Sequence, residues 1–381
     1  MATTIFRRLV AGALVMAVLA LALVVGAGSA AADGNAGAVY TLSNATAANG
    51  GNAVLVFDRA ADGTLTAAGS YGTGGNGTGA GLGSQGAVVL SEDGTWLFAV
   101  NAGSNSVSVF RVRPNGLSLV DRQPSGGMMP ISVTSRGSLL YVLNAGDASN
   151  TGANITGFRV NWTGRLLPID GSTQPLSQAS GTGPAQVSFS PDGNTLVVTE
   201  KATNKIDTYK VGWNGAAGAP TVHASAGATP FGFDFGKRGA LVVSEAFGGA
   251  PTASALSSYR VSDDGFNVVS ASVHTTQTAA CWVVVTGNGK YAYTTNAGSD
   301  SISSYNVNND DSLTLLKSVA GSTGAGSHPT DMALSHNSQY LYALNAFTHT
   351  MSGFSVQADG SLAPVMSMNG MPEFSVGLAA R

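Results

Sequence analysis

The sequence predicts an all-β fold, a seven-bladed β-propeller of four-stranded antiparallel blades, and three observations carry that reading. One pattern of short alternating apolar and polar runs recurs about every 50 residues. Asp-Gly, Asn-Gly and similar pairs fall between the runs, where tight hairpins need positive φ. No segment after the first few dozen residues spaces its apolar residues helically over a useful length.

The clearest copies are GPAQVSFSPDGNTLVVTEKATNKIDTYKV (183–211), CWVVVTGNGKYAYTTNAGSDSISSYNV (281–307) and HPTDMALSHNSQYLYALNAFTHTMSGFSV (328–356). Weaker copies start at Gln85, Met129 and Thr229. Period-two alternation marks strands half-buried between layers. Asp93-Gly94, Asp192-Gly193 and Asn288-Gly289 separate the first two runs. Asp62-Gly63, Asn115-Gly116, Thr163-Gly164, Asn214-Gly215, Asp264-Gly265 and Asp359-Gly360 close the next hairpin. The N-terminal copy (38–71) lacks a first strand, and MPEFSVGLAAR (371–381) supplies one. One blade is therefore expected to be shared by the two ends, which closes the ring and removes exposed edges.

Arg7 and Arg8, an apolar run from Leu9 to Val25 and the exit Ala30-Ala31-Ala32 read as a signal peptide over 1–32. The small-residue exit favours cleavage over retention as an anchor. The expected product is a single propeller over 33–381, secreted to the extracellular space or periplasm, monomeric and without stable membrane insertion after cleavage. The net charge of −3 offers no basic field, so nucleic acid is not an expected partner. A single cysteine, Cys281, excludes an intrachain disulfide and a multi-Cys zinc site. Gly72-Thr-Gly74-Gly75-Asn-Gly77 satisfies G-x-G-x-x-G, but no helix follows it. No metal and no cofactor is expected.

Long insertions at Tyr71–Gly86, Gly146–Ile155, Ser172–Gly183 and Phe247–Ser257 all fall on the face where first strands begin, here termed the top. Aligned second strands end there in Asn101, Asn144, Glu200, Glu245, Asn296 and Asn345. Glu200 and Glu245 stand on adjacent blades, and two carboxylates sharing a desolvated mouth would raise each other's pKa for acid/base work. Pairing of a Glu with Lys201 or Lys205 is the competing structural explanation. Gln186, Phe231, Trp282, His328 and Asp331 open the first strands at the same mouth. The aromatics suit stacking on a cyclic ligand or packing between blades. His223, His274 and His349 read as ordinary strand or loop residues.

The units SPDGNTLVVTE, GNGKYAYTTNAGSDSI and NSQYLYALNAFTHTM resemble the lactonase-type propellers, the family of 6-phosphogluconolactonases and carboxymuconate lactonising cyclases. The resemblance covers roughly residues 38–381 and is similar to a secreted bacterial branch. It implies seven blades with shared closure and chemistry on a lactone. The family's His-containing strand falls on Pro184-Ala185-Gln186, and its Pro-Arg-His motif on Pro230-Phe231-Gly232, so these His and Arg positions are not retained. Its Asn-Glu motif falls on Ser244-Glu245 and keeps the Glu. Without that Arg, a phosphosugar loses its bidentate partner.

The expected function is hydrolysis or isomerisation of a small lactone or related cyclic ester at the top funnel. Glu245 and Glu200 are the expected acid/base pair, with Gln186, Lys201, Asn296, Asn345, His328, Asp331, Phe231 and Trp282 binding the substrate. The alternative is a non-catalytic extracellular propeller that recognises a small sugar-like ligand or a surface partner through its long top loops.

Overall fold

The computed structural model describes residues 36–262 and 265–381. The expected signal peptide, 1–32, and Asp264 of one hairpin turn lie outside the described residues. Period-two alternation folds into seven antiparallel sheets, six of them built from strands that follow one another in the chain. Blade 2 begins at Val88–Leu90, blade 3 at Pro130–Arg136, blade 4 at Pro184–Phe189 and blade 5 at Pro230–Phe235. Blade 6 begins at Ala280–Val285 and blade 7 at Pro329–Leu334. Blade 1 takes its innermost strand, Val376–Ala380, from the C-terminus and its second, Gly37–Leu42, from the N-terminus. The innermost strands touch in a closed cycle, so every blade has two neighbours. Blade 3 alone departs from four strands, its outer edge being split into Leu166–Pro168 and Gln174–Pro175. Among the described residues, no helix is long and apolar enough to cross a membrane.

Closure is a matched register. Tyr40 faces Ala379, and Val39 faces Ala380. Arg59 then holds the chain end, its Nε donating to the Arg381 carbonyl at 3.2 Å. Pairing the two termini satisfies backbone groups that would otherwise line an open edge.

Between blades, a buried tyrosine on one second strand reaches the outer hairpin of the next blade. Tyr141 Oη donates to Gly215 O at 2.7 Å, Tyr293 to Gly360 O at 3.1 Å and Tyr342 to Gly63 O at 2.7 Å. A buried phenol needs such a partner, and the turn carbonyl supplies it. Gly63 and Gly360 are fixed twice over. Their φ values of +87° and +78° suit glycine, and a Cβ at either would run into the ring of Tyr340 or Tyr291. The turns that the sequence marks are therefore also packing joints.

Candidate active site

At the top of the ring lies a cavity of about 680 Å³. Phe231, Trp282, Phe347 and Phe374 give it an aromatic wall, and His328, His349, Thr330 and Glu373 supply polar groups. Phe231 and Trp282 pack with ring centroids 4.9 Å apart. His328 stacks on Phe347 at 4.2 Å, nearly parallel.

The floor of this cavity is the glycine-rich end of the Tyr71–Gly86 insertion. Gly81, Leu82, Gly83 and Ser84 line it from below. Bonds to several blades hold this segment across the axis. Ser84 Oγ donates to Ile131 O at 2.8 Å, Gln85 N to Ala185 O at 3.1 Å and Trp282 Nε1 to Ser84 O at 2.9 Å. Lys201 Nζ donates to Gly83 O and lies 4.8 Å over the Phe231 ring. Beneath the plug is a separate channel of about 410 Å³, lined by all seven innermost strands.

The fold explains how the histidines reach the cavity. At the corner between second and third strands, Asn105, Asn204 and Asp300 adopt left-handed φ near +50° to +56°, a conformation Asn and Asp tolerate. Each side chain then accepts from the backbone N–H that opens the next blade: Asn105 from Met129 at 2.8 Å, Asn204 from Thr229 at 2.7 Å, Asp300 from His328 at 2.9 Å. In blade 7 the corner is His349, also left-handed at +52°. Its Nδ1 is buried and has no hydrogen-bond partner among the described residues. A ring that breaks the repeat's corner latch and borders a cavity is a group with an unused hydrogen bond. Sequence reasoning passed over His349 because the signal is positional, visible only when the corners are superposed.

Burial lowers the pKa of His328 against the opposing pull of Asp300, so its imidazole is neutral at neutral pH. Burial also pulls Lys201 down to about 8 and pushes the Cys281 thiol up to about 12, which keeps that thiol protonated. Among the described residues, no three His, Cys, Asp or Glu side chains cluster as a metal site would require.

Of the expected site residues, Phe231, Trp282 and His328 line the cavity, and Lys201 braces its floor. Gln186 and Asp331 belong to the channel below the plug. Gln186 stitches blade 4 to blade 5, accepting from Phe233 N at 2.7 Å and donating to Phe233 O at 2.9 Å. Asp331 is buried, which holds its carboxyl well above the usual carboxylate range; it accepts from Met332 N at 2.8 Å. Asn296 and Asn345 turn into their own blades, donating to Ser303 and Ser352 at 2.9 Å each.

The two glutamates do not converge on the mouth. Glu200 accepts from Ser177 N at 2.9 Å, Ser177 Oγ at 2.7 Å and Thr203 Oγ1. Glu245 accepts from Ser257 Oγ and from Ser272 Oγ at 2.6 Å. Both are fully buried. Both stand on second strands, one strand removed from the axis: Glu245 is met by Ser257 and Ser272 of its blade's third and fourth strands, and Glu200 by Ser177 of the loop entering blade 4 and Thr203 of the corner that follows it. The acidic neighbour of Glu200 is Asp207, whose pKa is raised by burial, by hydrogen bonding to Glu200 and by repulsion from it.

Seven closed blades with a ligand-sized cavity where the innermost strands begin define a propeller with a concave site at the top of its ring. The chain belongs to the lactonase family of seven-bladed β-propellers: the pattern of "Lactonase, 7-bladed beta-propeller" matches residues 50–174 and 251–375. The stretch between the two matches holds Gln186, Glu200, Phe231 and Glu245. No curated protein sequence matches the chain. Among solved structures, a candidate 6-phosphogluconolactonase of Bacteroides fragilis is 19% identical, with TM-score 0.68 over 91% of this chain and 98% of its own. A protein from Lactobacillus plantarum is 17% identical, with TM-score 0.70 over 91% and 99%. The periplasmic gluconolactonase PpgL of Pseudomonas aeruginosa is 15% identical, with TM-score 0.66 over 89% and 98%. At these identities the likeness is one of fold.

Proposed function

We propose that the protein is an exported lactonase that hydrolyses a neutral lactone in the top cavity. The observation that carries this is the pairing of an aromatic wall with two histidines, His328 and His349, in one ligand-sized cavity. A lactone ring stacks against Trp282 and Phe231. Neutral His328 takes a proton from water as the water oxygen bonds the carbonyl carbon, and returns it to the ring oxygen as the C–O bond breaks. His349 borders the same cavity and adds a second polar ring to its wall. Among the described residues, no Arg lines the cavity, which favours a neutral substrate over a phosphorylated one. Membership of the lactonase family supports the assignment, and the signal-like sequence over 1–32 supports the export. Titrating acid release from a panel of alkyl- and sugar-substituted lactones tests it. Release above buffer that His328→Ala abolishes is expected; no release across the panel overturns it.

A second reading, a propeller that binds a sugar-like ligand without turning it over, is favoured by one feature. Where the resemblance implies a catalytic His, Gly232 stands, and the amide of Gln85 fills its place. Calorimetry with the same lactones and their open acids separates the readings: saturable binding without acid release supports the second, and release removes it.

A further inference from the structure

We propose that the face opposite the cavity carries a polysaccharide-binding platform made by Trp162 and Trp213. Both indoles stand free in solvent, 89% and 101% exposed. They occupy the same position of the same turn on adjacent blades. Asn161 N donates to Arg165 O and Gly164 N to Asn161 O, and in blade 4 Gly212 N donates to Ala216 O and Gly215 N to Gly212 O. Three other blades build this turn and put Ala61, Asn309 and Ala358 at that position. The fold therefore does not need an aromatic there. The protein's other two tryptophans contrast with this pair: Trp282 is buried, and Trp96 is partly covered.

The two turns are rigid and joined. Arg159 Nη2 donates to Asn214 O at 2.9 Å, tying the blade 3 strand that leads into Trp162 to the turn that carries Trp213. Asn161 Oδ1 accepts from Thr163 N at 2.9 Å and from Arg165 N at 2.9 Å, and Asn214 Oδ1 from Ala216 N at 3.1 Å. A turn backbone fixed before binding loses little further freedom when a ligand arrives.

The surroundings select the ligand. Each indole is flanked in its turn by Asn, Thr or Gly rather than by aliphatic residues, with Arg159 and exposed Arg165 beside them. Two exposed indoles with hydrogen-bonding neighbours suit a pyranose chain, which presents apolar C–H faces edged with hydroxyls. A bilayer surface would instead call for contiguous apolar area around the rings, and a protein partner for a larger apolar core.

The test is retention of the purified protein on insoluble cellulose, chitin and peptidoglycan, then tryptophan-fluorescence titration with the matching oligosaccharides in order of length. Trp162→Ala and Trp213→Ala are each expected to weaken binding about tenfold or more, and the double variant to abolish it, with melting temperature unchanged. Oligosaccharides too short to reach both rings should bind no better to wild type than to a single variant. The proposal is overturned by failure to bind all three polysaccharides, by equal binding of the double variant, or by tryptophan-dependent binding to phospholipid vesicles or to a second copy in place of sugar. Lactone turnover is a separate readout, so this result and that of the cavity assay stand apart.

Discussion

Gln85 supplies the side chain that Gly232 lacks. In blade 4, Gln186 accepts from Phe233 N and donates to Phe233 O, stitching its innermost strand to the next. The equivalent residue in blade 5 is Gly232, which has nothing to offer. Gln85 enters from the plug, accepts from Val283 N at 3.0 Å and donates to Val283 O at 2.7 Å. A Cβ on Gly232 would overlap Gln85 Oε1. The plug is thus a structural part of the ring as well as the floor of the cavity.

Gln85→Ala should cost about 2–4 kcal/mol, because it leaves both the N–H and the carbonyl of buried Val283 without that amide. Denaturant unfolding measures it. An unchanged midpoint would mean that water replaces the amide and that the stitch is dispensable. Gly232→Ala should also destabilise, through overlap with Gln85 Oε1 and Cys281 O, and Gln85→Ala should relieve part of that cost in the double variant.

Glu245→Gln should leave lactone turnover intact and cost about 1–3 kcal/mol. The carboxylate accepts from two serine hydroxyls, and an amide can replace only one of its two acceptor oxygens. Paired melting and turnover measurements decide the point. Lost turnover in a protein of native stability would return Glu245 to the catalytic role that the resemblance implies.

Asp207 sets a pH dependence of stability. Its folded pKa lies above the ordinary 3.8, so the folded state holds a proton that the unfolded chain releases near that value. Stability is then greatest on the acid side of the window and falls as pH rises from the ordinary value toward the raised one. Asp207→Asn should flatten this slope. A pH series of unfolding midpoints checks it, and identical slopes in wild type and variant would refute the shared proton.

His328 predicts the acid limb of any turnover. Burial lowers its pKa below 6.5, so the reactive neutral form persists to lower pH than a free imidazole would allow. The kcat/KM of wild type should therefore hold constant down to that lowered value and fall below it. His328→Ala should lose about 10²–10⁴ in rate and lose this limb. A limb that survives the substitution would belong to another group, with Glu373 the next to replace.

The sequence by itself determined the blade architecture and the ring closure. Both are written locally: strands in period-two alternation, hairpins in Asp-Gly and Asn-Gly pairs, and the shared blade in a first strand missing at one end and present at the other. It also placed Phe231, Trp282 and His328 at the mouth, because innermost strands face the axis whatever their neighbours are. Tertiary structure alone decided where the second-strand ends point. Glu200 and Glu245 align with the asparagines in register, yet Ser177 of the loop before blade 4 and Thr203 of the adjoining corner hold the first, and Ser257 and Ser272 of blade 5's outer strands hold the second, away from the axis. It also decided the plug and the role of His349. Gln85 reaches Val283 across 198 residues of chain, and no spacing rule links a glycine-rich loop to a gap left by Gly232. Contacts between blades depend on how the ring closes, and the hydrogen bonds that select a site are made only then.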